Sequence, residues 1–310
     1  FACFGSLTEI LSDLDSHSTL EVYELIKKRV SGLRRLRNLL GDKQIKYKQL
    51  GGNEIFLEND SEKLDRSLAK MNEINDLIEP LFNDKVFKLN RNTFNFKSTL
   101  DEIIFNKFEG QLDTGEIMDA LLNKAYKSNI RIINNVSVER YEDIGTSVKV
   151  CTNQFTISCN KLFIATNGFS ESIIQEKVVP ARAQVLITKP IKNLNVIGTF
   201  HFQQGYYYFR NIDDRILLGG GRNLDFHSEN TNEFGVTDTI QSKLEELLTD
   251  VILPQSDFEI EQRWSGIMGI GNKKTTITKQ LSNNVYCGVR LGGMGVAIGT
   301  NVGAELANLI

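Results

Sequence analysis

A strand-to-helix junction near residue 290 carries the residues best suited to binding a ligand. The segment Asn284-Val285-Tyr286-Cys287-Gly288-Val289 has the pattern of a strand and runs through Arg290-Leu291-Gly292-Gly293-Met294-Gly295 into a helix. Glycines let backbone N–H groups approach a ligand, and the positive end of a helix attracts an anion or an electron-rich ring edge. The spacing G-G-x-G-x-x-x-G is not a dinucleotide fingerprint. The loop therefore indicates either a ligand site or a tightly packed turn.

A tyrosine-rich strand offers a second set of candidates. Alternation places Tyr206 and Tyr208 on one face of a sheet and Tyr207 on the other. One of these faces either lines a cavity or packs against aromatic neighbours on adjacent strands.

Single arginines within apolar strands or at glycine turns form a third set, because an unpaired guanidinium is costly there. They are Arg182, Arg210, Arg222, Arg263 and Arg290. Some must be paired or face a ligand, and a structural ion pair is the interpretation we favour for any one of them.

Several function classes lose support. The chain has no G-x-S-x-G elbow, Walker loop, H-E-x-x-H or kinase motif, which disfavours hydrolases and phosphotransferases. Four cysteines without a C-x-x-C pair and three scattered histidines predict no metal site and no disulfide framework, and a reducing, cytoplasmic location is expected. With 36 basic and 39 acidic residues the net charge is −3, so no nucleic acid partner is expected. No apolar run suits a membrane span.

The elements that position these residues mix helices and strands, and 310 residues suggest about two domains. Apolar periodicity predicts one or two helices over 6–40, opened by a capping box of Ser6 and Glu9. Further helices are predicted over 61–81, 113–127 and about 237–249, and 83–109 is predicted to be a polar stretch.

Short β-branched segments with turns between them predict strands in the rest of the chain. A short strand is expected at 54–57, a meander at 130–133, 136–138, 147–150 and 155–157, and a buried strand at 161–165 that ends in Thr166-Asn167-Gly168. An antiparallel sheet over 182–222 turns at Asp213-Asp214, and another strand covers 258–261.

Several segments, taken in order, resemble the FAD-dependent D-amino acid oxidase superfamily. This group includes glycine oxidase, sarcosine oxidase and the flavin half of a tRNA-wobble-uridine modifying enzyme. The segments are FACFGS at 1–6, EGQLDTGEIMDALLNKA at 109–125, KLFIATNGFS at 161–170, PARAQVLIT at 180–188, YYYFRNIDDRILLGGGR at 206–222, RWSGIMG at 263–269 and CGVRLGGMGVAIGTNVGAELANLI at 287–310.

The resemblance implies an α/β fold in which a Rossmann-like FAD domain is interleaved with an antiparallel-sheet substrate domain. It assigns 1–40, 110–178 and 264–310 to the FAD domain and 41–109 and 179–263 to the substrate domain. In the superfamily a βαβ unit with a G-x-G-x-x-G loop precedes the segment that FACFGS resembles. We therefore expect this chain to be an internal fragment that lacks the unit.

The resemblance also implies site residues. Phe1 and Ala2 match the segment that passes the isoalloxazine, Val138 the strand residue at the adenine, and Thr166, Asn167 and Gly168 a tripeptide beside the dinucleotide. The loop that holds the flavin pyrimidine ring matches Leu291, Gly292, Gly293, Met294, Gly295, Val296 and Ala297. Tyr206 matches the tyrosine that faces substrate, and Arg290 is the nearby basic residue that could hold a substrate anion, so these two are the candidate catalytic residues.

Two departures from the family pattern concern the substrate. Glycine-oxidase-like members bind the substrate carboxylate with an arginine whose position is Met268 here, and a second substrate-side arginine falls on Gly293. The resemblance implies oxidation of a C–N bond of a small-molecule amine or amino acid by hydride transfer to FAD. The alternatives are 2-hydroxy-acid dehydrogenation, tRNA-wobble modification and a flavin-binding scaffold without turnover.

Overall fold

A computed structural model describes residues 1–310 and shows seven helices and fourteen strands. The helices are α1 (Leu7–Leu14), α2 (Thr19–Leu40), α3 (Ser61–Phe82), α4 (Thr114–Lys127), α5 (Phe226–Glu229), α6 (Asp238–Leu247) and α7 (Gly295–Ala307). The strands are β1 (Gly52–Glu54), β2 (Phe87–Arg91), β3 (Glu102–Asn106), β4 (Val138–Asp143), β5 (Val148–Thr152), β6 (Thr156–Cys159), β7 (Leu162–Ile164), β8 (Val179–Thr188), β9 (Thr199–Phe202), β10 (Tyr207–Ile212), β11 (Arg215–Gly220), β12 (Ile260–Ile270), β13 (Ile277–Ser282) and β14 (Val285–Val289). The predicted α/β fold class is confirmed.

The largest element is an eight-stranded sheet in the order β12-β8-β11-β10-β9-β1-β3-β2. Only the β1–β9 pair is parallel. One face carries a core that includes Phe200, Tyr207 and Leu218 and packs against Ile240 and Leu244 of α6. The predicted antiparallel sheet and its turn at Asp213-Asp214 are confirmed, since β10 pairs with β11 across that turn.

Helices α1 and α2 begin at capping boxes, as predicted for Ser6 with Glu9. A second capping box of Ser18 with Glu21 opens α2. Both helices pack with α3 into one apolar cluster, which explains the helical periodicity of this part of the sequence. The cluster also contains Phe4 and Ile104, and it thereby ties the first residues of the chain to the large sheet.

Two small sheets complete the fold. Strand β7 pairs in parallel with β14, which pairs with β13, and the β4-β5-β6 meander forms the other sheet. The strand predicted at 161–165 is confirmed as β7, although only Ile164 of it is buried, and the strand before the glycine loop is confirmed as β14. No helix of the structure is both long and apolar enough to cross a lipid bilayer.

Three local predictions were wrong. Residues 130–133 form no strand and lie exposed, because no strand pairs with them. Residues 83–109 contain β2 and β3 instead of a polar connection. Strand β1 covers Gly52–Glu54, so it overlaps the predicted segment 54–57 only at Glu54.

Candidate active site

A row of directly opposed residues crosses six strands on the face of the large sheet that points away from α6. The pairs are Trp264 with Val185, Val185 with Gly219, Gly219 with Tyr208, Tyr208 with His201, and His201 with Glu54. Directly opposed residues share a face, so these side chains form one continuous stripe. Tyr207 lies in the core on the other face and Tyr208 in the stripe, as their alternation predicts.

The first residues of the chain cover one end of this stripe. The Phe1 ring lies 5.4 Å from the rings of both His201 and Tyr208. Ala2 pairs with Gly110, with Ala2 N donating to Gly110 O at 2.8 Å. These contacts hold Phe1 and Ala2, the residues predicted to pass the isoalloxazine, against the sheet.

Beneath Phe1 lies a buried polar cluster that the sequence analysis missed. His201 Nε2 and Glu109 Oε2 are 3.0 Å apart, and both side chains are buried. Burial acts to lower the pKa of His201, but the charge and hydrogen bond of Glu109 outweigh it and raise the pKa above its usual value. The only sequence signal was the alternation Phe200-His201-Phe202, which places a histidine on the face opposite two buried phenylalanines.

Glu54 extends this cluster toward α1. Its carboxylate accepts hydrogen bonds from Ser6 Oγ at 2.8 Å, from Thr8 N at 3.2 Å and from the Thr8 hydroxyl. Burial raises the pKa of Glu54, and these hydrogen bonds partly offset the effect. The cluster therefore anchors the start of α1 to the sheet.

The other end of the stripe is open. The Trp264 side chain is 38% exposed, and a Cβ at Gly266 would meet no atom within 4 Å. The absence of a side chain at Gly219 leaves room for the Tyr208 ring, since a Cβ at 219 would lie 2.7 Å from the Tyr208 hydroxyl oxygen. Trp264, Gly266, Gly219 and Val185 form a half-open, mainly apolar surface, which we call the floor.

The glycine loop meets this floor through β12. Asn167 Oδ1 accepts a hydrogen bond from Leu291 N at 3.0 Å, and Gly292 N donates to Gly269 O at 2.9 Å. A Cβ at Gly168 would lie 2.7 Å from Met268 O, so this glycine permits close packing. The structure thus brings together two segments that were predicted to bind cofactor, one around Asn167 and one around Leu291.

The glycines of the loop itself are not required by packing. A Cβ at Gly293 would meet only Met268 Sδ, at 3.7 Å, and one at Gly295 would meet only Leu291, at 3.8 Å. Gly292 has φ +58° and open space around it. The loop backbone and the first turn of α7 are therefore accessible to a ligand, which favours a ligand site over a packed turn.

Helix α2 holds α7 behind the loop. A Cβ at Gly32 would overlap Ala297 O at 1.9 Å, and Thr300 Oγ1 donates to Gly32 O at 2.9 Å. Ala2 packs in the same apolar cluster as Ala297, with Leu291, Met294 and Val296 at its margin. The Phe1–Ala2 segment and the glycine loop therefore share one support.

Two predicted site residues lie apart from this junction. Val138 begins β4, opposite Thr152, and is 41% exposed. Tyr206 lies in the turn before β10, so the prediction that it shares a sheet face with Tyr208 was wrong; it is also 41% exposed, and its ring lies 6.1 Å from that of Phe226.

Of the five single arginines, two are in ion pairs. Arg182 binds Glu229 through Nε at 3.0 Å and Nη2 at 2.9 Å, and Arg263 pairs with Glu245 at 2.7 Å. Arg210 donates to Leu112 O at 2.8 Å. Arg290, at φ +64°, donates through Nε to Thr275 O at 2.8 Å and through Nη2 to Thr275 Oγ1 at 3.2 Å. Arg222 donates to the Asn230 side chain.

Comparisons with known proteins found one matching family model and several solved structures with a similar fold. The model of a family described as FAD dependent oxidoreductase (DAO) matches residues 10–309. Similar solved structures include L-proline dehydrogenase from P. horikoshii, with TM-score 0.72, 17% identity and 92% of this chain and 78% of that chain covered. Glycine oxidase from Bacillus cereus ATCC 14579 gives TM-score 0.73, 16% identity and coverages of 92% and 82%.

A third similar structure is L-amino acid deaminase from Proteus vulgaris, with TM-score 0.71, 12% identity and coverages of 94% and 81%. At such identities the likeness shows the fold alone. No curated protein matches the sequence.

Proposed function

Since the chain belongs to the DAO family of FAD-dependent oxidoreductases, we propose that it oxidises a C–N bond of an amine or amino acid. The observation that carries the proposal is the junction of the open glycine loop with the half-open apolar floor. FAD is the cofactor of the family. Amino-acid-metabolising structural neighbours, such as those named glycine oxidase and L-proline dehydrogenase, support an amine or amino acid as the substrate.

The residues present fit FAD. The glycine loop leaves space where side chains at 293 and 295 would lie, and the N-terminus of α7 adds a positive helix end. We propose that the cofactor contacts are Phe1, Ala2, Val138, Thr166, Asn167, Gly168, Leu291, Gly292, Gly293, Met294, Gly295, Val296 and Ala297. When bound, the flavin supplies a hydride acceptor at N5.

The protein's own part in the reaction is to align the substrate on an apolar surface. Hydride loss from a carbon that bears a neutral amine depends on alignment more than on an acid or base. Val185 and Trp264 offer an apolar floor on which the substrate can pack, and Tyr206 is proposed to face the substrate. Burial raises the pKa of Tyr208 to about 12, so its hydroxyl stays protonated well into the alkaline range. Water then hydrolyses the resulting imine to a carbonyl compound and an amine or ammonia.

Arg290 stays a predicted contact for a substrate anion. Its two hydrogen bonds to Thr275 also give it a structural role, because they hold Arg290 in place directly before Leu291 of the glycine loop.

We also propose the domain division from the sequence analysis, with FAD segments at 1–40, 110–178 and 264–310 and substrate segments at 41–109 and 179–263. Seven of the eight strands of the large sheet lie within the substrate segments, which supports the division, and β12 crosses the boundary at 263, with residues 264–270 in an FAD segment. Four free cysteines suit the proposed cytoplasmic location.

The test is anaerobic reduction of the flavin-loaded protein by a panel of amines, amino acids and 2-hydroxy acids. Loss of the visible absorbance of oxidised flavin with an amine or amino acid is the expected result. Reduction by 2-hydroxy acids alone would assign dehydrogenation of an alcohol instead. No reduction by any member would leave a flavin-binding scaffold or a macromolecular substrate such as tRNA.

A further inference from the structure

A buried ion pair and a pair of backbone hydrogen bonds meet at two adjacent residues, Glu109 and Gly110. Ala2 N donates to Gly110 O at 2.8 Å, and Gly110 N donates to Ala2 O at 3.2 Å. We call these two hydrogen bonds the clamp. The carboxylate of Glu109, the residue directly before Gly110, lies 3.0 Å from His201 Nε2. The position of Glu109 therefore helps to set the backbone that holds Ala2.

The surroundings of Glu109 are shaped for a buried carboxylate. Its Oε1 accepts a hydrogen bond from Asn106 Nδ2 at 3.3 Å, and its backbone oxygen accepts one from Gly51 N at 3.0 Å. A Cβ at Gly52 would overlap the carboxylate, so this glycine makes room for it. The side chains of His201 and Glu109 are only 8% and 2% exposed. Because a buried ion pair adds little stability over apolar residues, a pair in such a tailored site points to a function.

The clamp connects this ion pair to both segments that are proposed to contact FAD. The Phe1 ring lies 5.4 Å from the His201 ring. Ala2 packs in one apolar cluster with Ala297, and Leu291 of the glycine loop lies at its margin. A shift of the Gly110 backbone would therefore break two hydrogen bonds to Ala2 and disturb its packing against the glycine loop.

We propose that His201 and Glu109 are positioning residues for FAD, which hold the clamp closed and do so most firmly when His201 is protonated. The closed clamp keeps the Glu109 carboxylate at the imidazolium of His201, and this charge-assisted contact is lost when the clamp opens. By linkage, protonation of His201 then favours the closed clamp and FAD binding. This assignment rests on the proposed function, because it takes Phe1 and Ala2 as FAD contacts, and it is independent of the substrate.

The direction of the pH dependence follows from the pair. Glu109 raises the pKa of His201, so the clamp should be firmest below about pH 6.5 and should weaken as the pH rises through the raised pKa. The other titratable groups that face His201 are Glu54 on β1, Glu9 on α1 and Tyr208 on β10. Burial raises the pKa of Tyr208 to about 12, so this hydroxyl stays neutral over the range of the test.

Three further groups lie near Glu109 or Phe1. Burial raises the pKa of Cys3 to about 12 and lowers the pKa of the Phe1 amino group. The guanidinium carbon of Arg210 lies 5.9 Å from the centre of the Phe1 ring. All three groups remain in a His201→Gln variant, so a pH dependence that they cause would persist there.

Hydrogen exchange of the Gly110 amide in the flavin-free protein measures the opening of the clamp. In wild type we expect its protection factor, which corrects for the intrinsic effect of pH on exchange, to fall about tenfold between about pH 6 and pH 9. A tenfold change corresponds to one unit of difference in the pKa of His201 between the open and closed clamp. The factor should stay nearly constant in His201→Gln and in Glu109→Gln. His227→Gln, which removes an exposed histidine of α5, is the control and should keep the wild-type profile.

Isothermal titration calorimetry of FAD into the same proteins tests the link to the cofactor. The dissociation constant of FAD in wild type should rise by about tenfold over the same pH range, and it should change by less than about twofold in His201→Gln. The two wild-type profiles need no substitution, so they test the proposal even where a variant folds poorly.

Three results would overturn the assignment. A constant protection factor of Gly110 in wild type would show that protonation of His201 does not hold the clamp. A wild-type pH profile in His201→Gln would assign the effect to another group. Exchange that depends on pH without a matching change in FAD affinity would show that the clamp does not position the cofactor. Because none of these measurements needs turnover, they stay distinct from a failure of the flavin-reduction panel.

Discussion

Substituting Gly293 by valine separates packing from ligand binding in the glycine loop. Gly293 is exposed, its φ is not positive, and a Cβ there would meet only the Sδ atom of Met268, at an ordinary contact distance of 3.7 Å. The structure therefore shows no steric clash that would oppose a larger side chain at this position. We expect the free energy of unfolding without flavin to change by less than about 0.5 kcal/mol, as for other surface substitutions.

The effect on the cofactor should be much larger. A valine side chain fills the space through which backbone N–H groups of the loop would reach the flavin. Loss of one or two such hydrogen bonds costs about 1–3 kcal/mol, which corresponds to roughly a 5- to 150-fold increase in the dissociation constant of FAD.

The assay is isothermal titration calorimetry of FAD into the flavin-free protein, together with thermal unfolding of the same samples. Gly303→Val is the matched control, because Gly303 is an exposed position of α7 where a Cβ meets no atom within 4 Å. Unchanged FAD affinity in Gly293→Val would refute the assignment of the loop. A large loss of thermal stability without flavin would show that packing does require this glycine.

Further predictions concern the supports of the site. His201→Leu leaves Glu109 buried without its partner and should lower the free energy of unfolding by about 3–5 kcal/mol in urea titrations; a loss under 1 kcal/mol would contradict this. Because the folded-state pKa of His201 is raised, protonation of His201 stabilises the fold fully below about pH 6.5, and this stabilisation is lost as the pH rises through the folded-state pKa. The difference in free energy of unfolding between wild type and His201→Gln should therefore shrink with rising pH. An advantage that grows with pH would be the wrong sign. Gly32→Ala should lower the melting temperature and FAD affinity, since its Cβ overlaps Ala297 O and overpacking costs about 1–3 kcal/mol, whereas Gly299→Ala, with open space, should lower neither.

Local signals in the sequence predicted most of the elements around the site. The capping box of Ser6 with Glu9 and the strand-glycine-helix pattern at 285–295 depend on neighbours in the chain, and the structure contains both. Strand β3 was missed because adjacent residues Ile103 and Ile104 are buried in two different cores, one on each side of the sheet. A strand that is buried on both faces shows no alternation.

Long-range partners account for the rest of what was missed. His201 and Glu109 are 92 residues apart, and no local pattern reveals that they pair. The exposed run Ile130–Ile133 has strand-like residues but no strand beside it, so propensity alone gave a wrong prediction. The partner of Arg182 is likewise distant in sequence, since Arg182 pairs with Glu229, 47 residues further along the chain.

The most direct measurement of the central claim is product analysis after a single anaerobic turnover with an amino acid that reduces the flavin. Oxidation of the C–N bond predicts one carbonyl product and one equivalent of amine or ammonia for each flavin reduced. Flavin reduction without release of amine or ammonia would contradict the account.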